Sequence, residues 1–140
     1  MRALIQRVTS ASVTVGDARL ATIGAGLLVL LGVDADDGDR EADRLARKVL
    51  AVRVFDDGER RMHRSVSDVG GELLCVSQFT LLADTRRGNR PSFTAAAPPE
   101  RAEALYERFR AAIGAQGGRF GARMAVALVN DGPVTLLIET

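Results

Sequence analysis

Cysteine is almost absent from this chain: Cys75 stands alone, so no internal disulfide can form and a reducing compartment is its natural home. Histidine is equally scarce. With His63 and Cys75 the only residues of their kinds, zinc lacks the several ligands it normally needs. Tryptophan is missing, and five Phe and one Tyr give few platforms for stacking nucleic-acid bases. Neither sign of charge dominates: 19 Lys plus Arg against 18 Asp plus Glu leave a net charge of +1, so any contact with RNA must come from a local patch. Lys48 is the only lysine, and the other cations are planar arginine forks, a bias that genome composition explains equally well. Long hydrophobic runs are lacking too. Leu27 to Val33 is too short to cross a bilayer, and Met1 to Val8 has no unbroken apolar stretch of the secretion-signal type, so the expectation is a soluble, cytoplasmic protein. No glycine-rich phosphate loop appears. The acidic segment from Asp34 fails as a calcium loop, because Gly38 and Leu45 fall where oxygen ligands belong. Neither a metal nor an organic cofactor is therefore expected.

What is present can bury a core: 46% of residues are apolar and 26% charged, over a length that suits one domain spanning residues 1–140. Alternation from Leu4 to Val15, the turn Gly16-Asp17 and the stretch Arg19 to Ile23 predict an opening antiparallel hairpin. Leu27 to Leu31, bracketed by glycines, reads as a strand covered on both faces. Asp34 to Asp39 then supplies a capping turn for a helix with Ala42, Leu45, Ala46 and Val49 on one face. Arg53 to Phe55 reads as a short strand, and Asp56 to Arg64 as an exposed turn. Glu72 to Leu82 is predicted as one apolar strand. Pro98-Pro99 opens a second helix with Ala102, Leu105, Tyr106, Phe109, Ala112 and Ile113 on one stripe, ended by Gly117-Gly118. Met124 to Val129 and Val134 to Ile138 read as two further strands joined by the turn Asn130 to Pro133. The fold class expected is α+β: a strongly curved, mainly antiparallel sheet or small barrel with two main helices packed outside.

Candidate chemistry is sparse. His63 lies among Arg60, Arg61 and Arg64 with no carboxylate expected to orient it, which argues against a serine-histidine-acid triad. Cys75 sits in an apolar strand and reads as inert core. An enzyme built this way would work by positioning and by hydrogen-bond donors aimed at developing charge. Two segments stand out: Ser77-Gln78-Phe79-Thr80-Leu81, where polar groups interrupt an apolar run, and Asn130-Asp131-Gly132-Pro133-Val134-Thr135. Taken alone, the second is an ordinary turn with the common trans proline. The first is equally well a half-exposed strand face, and Arg86, Arg87 and Arg90 a solvated loop or a set of phosphate contacts.

Together with Arg87-Gly88-Asn89-Arg90-Pro91-Ser92-Phe93 and the opening Met1 to Val8, these segments closely resemble D-aminoacyl-tRNA deacylases, along the whole chain. The resemblance implies a homodimer that hydrolyses the ester of D-aminoacyl-tRNA, and of glycyl-tRNA mischarged on tRNA-Ala, as a chirality proofreading step. It places catalysis at Ser77, Gln78, Phe79 and Thr80. It also implies a cis Gly132-Pro133 pair that, with Val134 and Thr135, reaches the partner subunit's site and rejects L-amino acids by clash, and an arginine matching Arg7 that holds that pair. Arg86, Arg87 and Arg90 would then face the acceptor end of tRNA. Two other readings remain open: a non-enzymatic RNA-binding module, and a small esterase or thioesterase using Thr80.

Overall fold

The computed structural model describes all residues, 1–140. Strand β1 (Arg2–Val15) is the spine. One of its sides is shared, Arg2–Val8 pairing antiparallel with β3 (Gly26–Gly32) and Ala11–Val15 with β2 (Ala18–Ile23). Its other side carries β8 (Ala125–Glu139) along nearly its whole length. Beyond β3 the sheet continues in parallel through β6 (Glu72–Ser77) to the short β7 (Gln116–Gly117). Gln116 Nε2 of β7 donates to the carbonyl of Thr22 in β2 at 3.0 Å, so the two ends of the curled sheet meet and a small barrel is nearly closed. Helices α1 (Asp39–Ala51) and α2 (Pro99–Ala112) are the crossovers between the parallel strands, which no tight turn could provide. A small separate hairpin, β4 (Arg53–Asp56) and β5 (Met62–Ser65), follows α1. The expected α+β class is what is found.

The alternation of each strand sorts its side chains between two cores. Leu27, Val29 and Leu31 of β3 join Ala3, Ile5 and Cys75 beneath the helices, where Leu45, Val49, Tyr106 and Phe109 are buried. Leu28 faces the barrel interior with Val8, Val13, Ile23, Leu74 and Val76. Each large apolar side chain buried in this way stabilises the fold by about 1.5–3 kcal/mol. Gly26 leaves room for β6: a Cβ there would lie 1.8 Å from the Glu72 carbonyl oxygen. No helix is long and apolar enough to cross a membrane.

Several expected boundaries differ. Helix α1 starts after Gly38 without an aspartate side-chain cap; the Glu41 carboxylate instead accepts from the Gly38 N–H at 2.9 Å. Helix α2 ends at Ala112, which is exposed, and Gly114 at φ 64° turns the chain, leaving Gly117 free to join the sheet. Strand β5 was hidden because Met62, His63 and Arg64 are all exposed and carry no apolar alternation. The apolar run from Glu72 is not one strand: β6 stops at Ser77, and Phe79–Leu82 forms a 3-10 turn. The last two strands are one, with Asn130–Pro133 contained inside β8 rather than forming a hairpin turn. Turn-forming residues are overridden there because β1 pairs with β8 on both sides of them, with a further one-residue irregularity at Thr9.

Candidate active site

At the end of β6 the chain leaves the sheet. Gln78 N–H still bonds the Leu31 carbonyl of β3 at 2.7 Å, after which the backbone tightens into the 3-10 turn. The N–H groups of Phe79 and Thr80 open that turn, and groups in this position have no acceptor within it. The Gln78 amide donates to the Thr80 hydroxyl, and the Arg2 guanidinium holds the Leu81 carbonyl at 2.8 Å. Beside the turn lies an open cleft of about 670 Å³, lined by Ser77, Gln78 and Phe79 together with apolar groups that include Phe93, Phe120 and Met124. Phe79 and Phe93 meet edge to face, ring centroids 5.0 Å apart. The exposed Phe79 ring thus packs on Phe93 beside the polar end of β6.

The second segment is built differently. Between the pairs Gln6↔Thr135 and Val8↔Asn130, Arg7 alone on β1 stands opposite Asp131, Gly132, Pro133 and Val134 on β8, so these four bulge from the ladder. The Gly132–Pro133 peptide bond is cis. Gly132 has φ 134°, a conformation that disfavours any L side chain. Arg7, only 8% exposed, anchors the bulge: its Nε donates to the Asp131 carbonyl at 3.0 Å and its Nη1 to the Val54 carbonyl of β4 at 2.6 Å. The carboxylates of Asp56 and Asp131 lie 3.4 and 3.6 Å from the same guanidinium. Gly132 and Pro133 themselves are exposed, and neither lines the cleft of their own chain.

Other candidates are located as follows. Asp57 places a carboxylate oxygen 3.2 Å from His63 Nδ1, contrary to expectation, because the β4–β5 turn folds Asp57 back over β5. The pair is far from a triad all the same, since His63 is 56% exposed and no serine, threonine or cysteine bonds to it. Cys75 is fully buried, and burial pushes its thiol well above the usual range, as inert core requires. Arg86 is tied within its own loop, 2.6 Å from Asp84, and its hydrogen bonds hold that carboxyl far below the ordinary carboxylate range. Arg87 and Arg90 are exposed and form no ion pair.

Residues 4–139 match the family model described as D-Tyr-tRNA(Tyr) deacylase. The chain belongs to the D-Tyr-tRNA(Tyr) deacylase family. A relative of this family from Dinoroseobacter shibae, named D-aminoacyl-tRNA deacylase, is 59% identical, with 99% of each chain covered. Another of the same name from a Roseiflexus strain is 56% identical over 100% of this chain and 94% of its own. Among solved structures, one titled c-Myc DNA Unwinding Element Binding Protein superposes on this family member with a TM-score of 0.94 at 43% identity, covering 100% and 99% of the two chains. A structure titled as a probable eukaryotic D-amino acid tRNA deacylase shares the fold, with a TM-score of 0.85 at 18% identity over 99% and 98%.

Proposed function

We propose that this protein, acting in the cytoplasm through residues 1–140 as a single domain, hydrolyses the ester between a D-amino acid and the 3′-terminal ribose of tRNA. Glycine mischarged on tRNA-Ala would be a second substrate. The observation that carries the reading is the whole-chain likeness to relatives named for this activity. Water adds to the ester carbonyl, the bond to the ribose oxygen breaks, and free D-amino acid and tRNA leave. The N–H groups of Phe79 and Thr80 are the donors suited to the developing oxyanion, with Ser77 and Gln78 placing the ribose. Thr80 is a poor nucleophile here. Its hydroxyl accepts from the Gln78 side-chain nitrogen, which only donates, and no part of an amide is basic enough to take its proton. Attack by water directed by the free ribose hydroxyl fits better, and this also weighs against a general esterase using Thr80.

Selectivity in this reading belongs to backbone. Gly132 and Pro133, supported by Val134, Thr135 and Arg7, would present main-chain oxygens to the substrate's Cα, and an L side chain would collide with them. Because the pair is exposed and absent from its own chain's cleft, it would act in the site of a second copy. The edge strand β8 suits such an assembly: Leu128, Val129, Leu136 and Leu137 are all exposed along it. Long apolar edges of this kind invite pairing with another chain. Leu137→Glu is expected to yield a monomer in sedimentation and to abolish turnover with it. A monomer that retained full activity would count against a shared site.

Arg87 and Arg90, and Arg86 once released from Asp84, would contact phosphates at the acceptor end, giving binding that weakens as salt is added. The reading as a whole is tested by incubating the protein with D-tyrosyl-tRNA and L-tyrosyl-tRNA, with and without chelator. Release from the D form alone, unchanged by chelator, is the expected outcome; equal release from both would defeat it.

A further inference from the structure

A bulge of four residues has no cross-strand partner to define it, and Arg7 holds it only at Asp131. Its neck is closed by one side chain. Asn130 Oδ1 accepts from the Val134 N–H at 3.0 Å, while Asn130 Nδ2 approaches the Val134 carbonyl at 3.4 Å and donates to the Thr135 hydroxyl at 3.1 Å. Since the Val134 N–H can only donate, the atom facing it must be the amide oxygen, which fixes which way the Asn130 amide is turned. The side-chain amide thus stands in for the missing peptide group across the base of the bulge. The Thr135 hydroxyl also accepts from Gln6 Nε2 of β1 at 3.2 Å, so the clamp is fastened to the spine of the sheet. The guanidinium at Asp131 and the amide across the neck thus flank Gly132 and Pro133.

We propose that Asn130 is the positioning residue for this bulge, setting where the Gly132 and Pro133 oxygens stand and therefore how sharply D and L substrates are told apart. The inference rests on the deacylase reading. An ordinary turn-capping asparagine would affect stability alone. A positioning residue must change the ratio of the two substrates' kcat/KM values. Asn130→Ala removes all three contacts, and Asn130→Asp keeps the acceptor for the Val134 N–H while losing both donors.

The experiment measures kcat/KM on D- and L-tyrosyl-tRNA for the parent, N130A and N130D, together with amide exchange at Val134. The D-over-L ratio is expected to fall about tenfold to a hundredfold in N130A and by less in N130D. Val134 exchange is expected to accelerate in N130A while Val29 in the core stays protected. An unchanged ratio in a folded N130A overturns the proposal. Should N130A fail to fold, N130D decides: a reduced ratio upholds the clamp, and a parental one overturns it. If the parent itself does not distinguish D from L, the deacylase reading fails, while the Val134 exchange still reports on the clamp.

Discussion

Arg7→Ala is expected to lower stability by about 3 kcal/mol and kcat/KM on D-aminoacyl-tRNA by more than about a hundredfold. The guanidinium is buried and joins three elements: it sits on β1, donates to Val54 of β4, and donates to Asp131 at the root of the bulge. Truncation leaves the Val54 carbonyl without its donor in a buried place, while the partly buried Asp131 carbonyl loses the contact that fixes the bulge. The carboxylates of Asp56 and Asp131 contribute less, since both are about half exposed and screened. Arg7→Lys is expected to recover part of the stability and little of the activity. An ammonium can hold one of these carbonyls but lacks the planar fork that reaches two in different directions. Denaturant titration and single-turnover hydrolysis, run on the same preparations, separate the two effects.

Gly132→Ala carries the second large effect, with a different signature. A Cβ at this position would lie 2.8 Å from the Val134 Cγ2, and 3.0 Å from both Arg7 Nη2 and the Val134 nitrogen. The first two neighbours could shift; the backbone nitrogen could not without moving the bulge, and φ 134° is itself unfavourable for alanine. The strain falls on an exposed segment outside both cores, so the fold should survive with a cost of about 1–3 kcal/mol. Activity should not. Deacylation of the D substrate is expected to drop more than about a hundredfold, because an error of about 1 Å in a positioning element suffices for that. A folded, fully active G132A would show that the exact path of this backbone is unimportant.

The sequence was legible where one physical signal dominated. The continuous apolar run Leu27 to Leu31 reads as a strand covered on both faces, and like β1 and β6 it feeds side chains into both cores. Helical spacing from Ala42 to Val49 located α1 for the same reason. Legibility failed where tertiary pairing overrode local preference. Asn130 to Pro133 has the composition of a turn, and nothing local reveals that β1 pairs on either side of it and turns it into a bulge. Asp57 beside His63 was invisible because β5 has no apolar pattern to announce the hairpin that joins them. At the candidate site, the composition of Ser77 to Thr80 marked the position, and the resemblance supplied the roles. The clamp by Asn130 is not legible in the sequence because an asparagine before Asp-Gly-Pro is so ordinary in turns; its one signal is a side-chain amide placed four residues before a β-branched strand residue.

Whether main-chain atoms of one subunit complete the site of the other is tested most directly by subunit mixing. Two variants serve, Gly132→Ala with a damaged bulge and Gln78→Ala with a damaged 3-10 turn, each inactive as a homodimer. After they are mixed, unfolded and refolded together, half of the dimers are heterodimers, and each of these holds one site in which both parts are intact. Recovery of about a quarter of the parental activity on D-tyrosyl-tRNA, with L-tyrosyl-tRNA still refused, is the expected result. Activity no greater than that of the separate variants, from a mixture shown to contain heterodimers, would mean that the bulge does not act across the interface and would contradict the account.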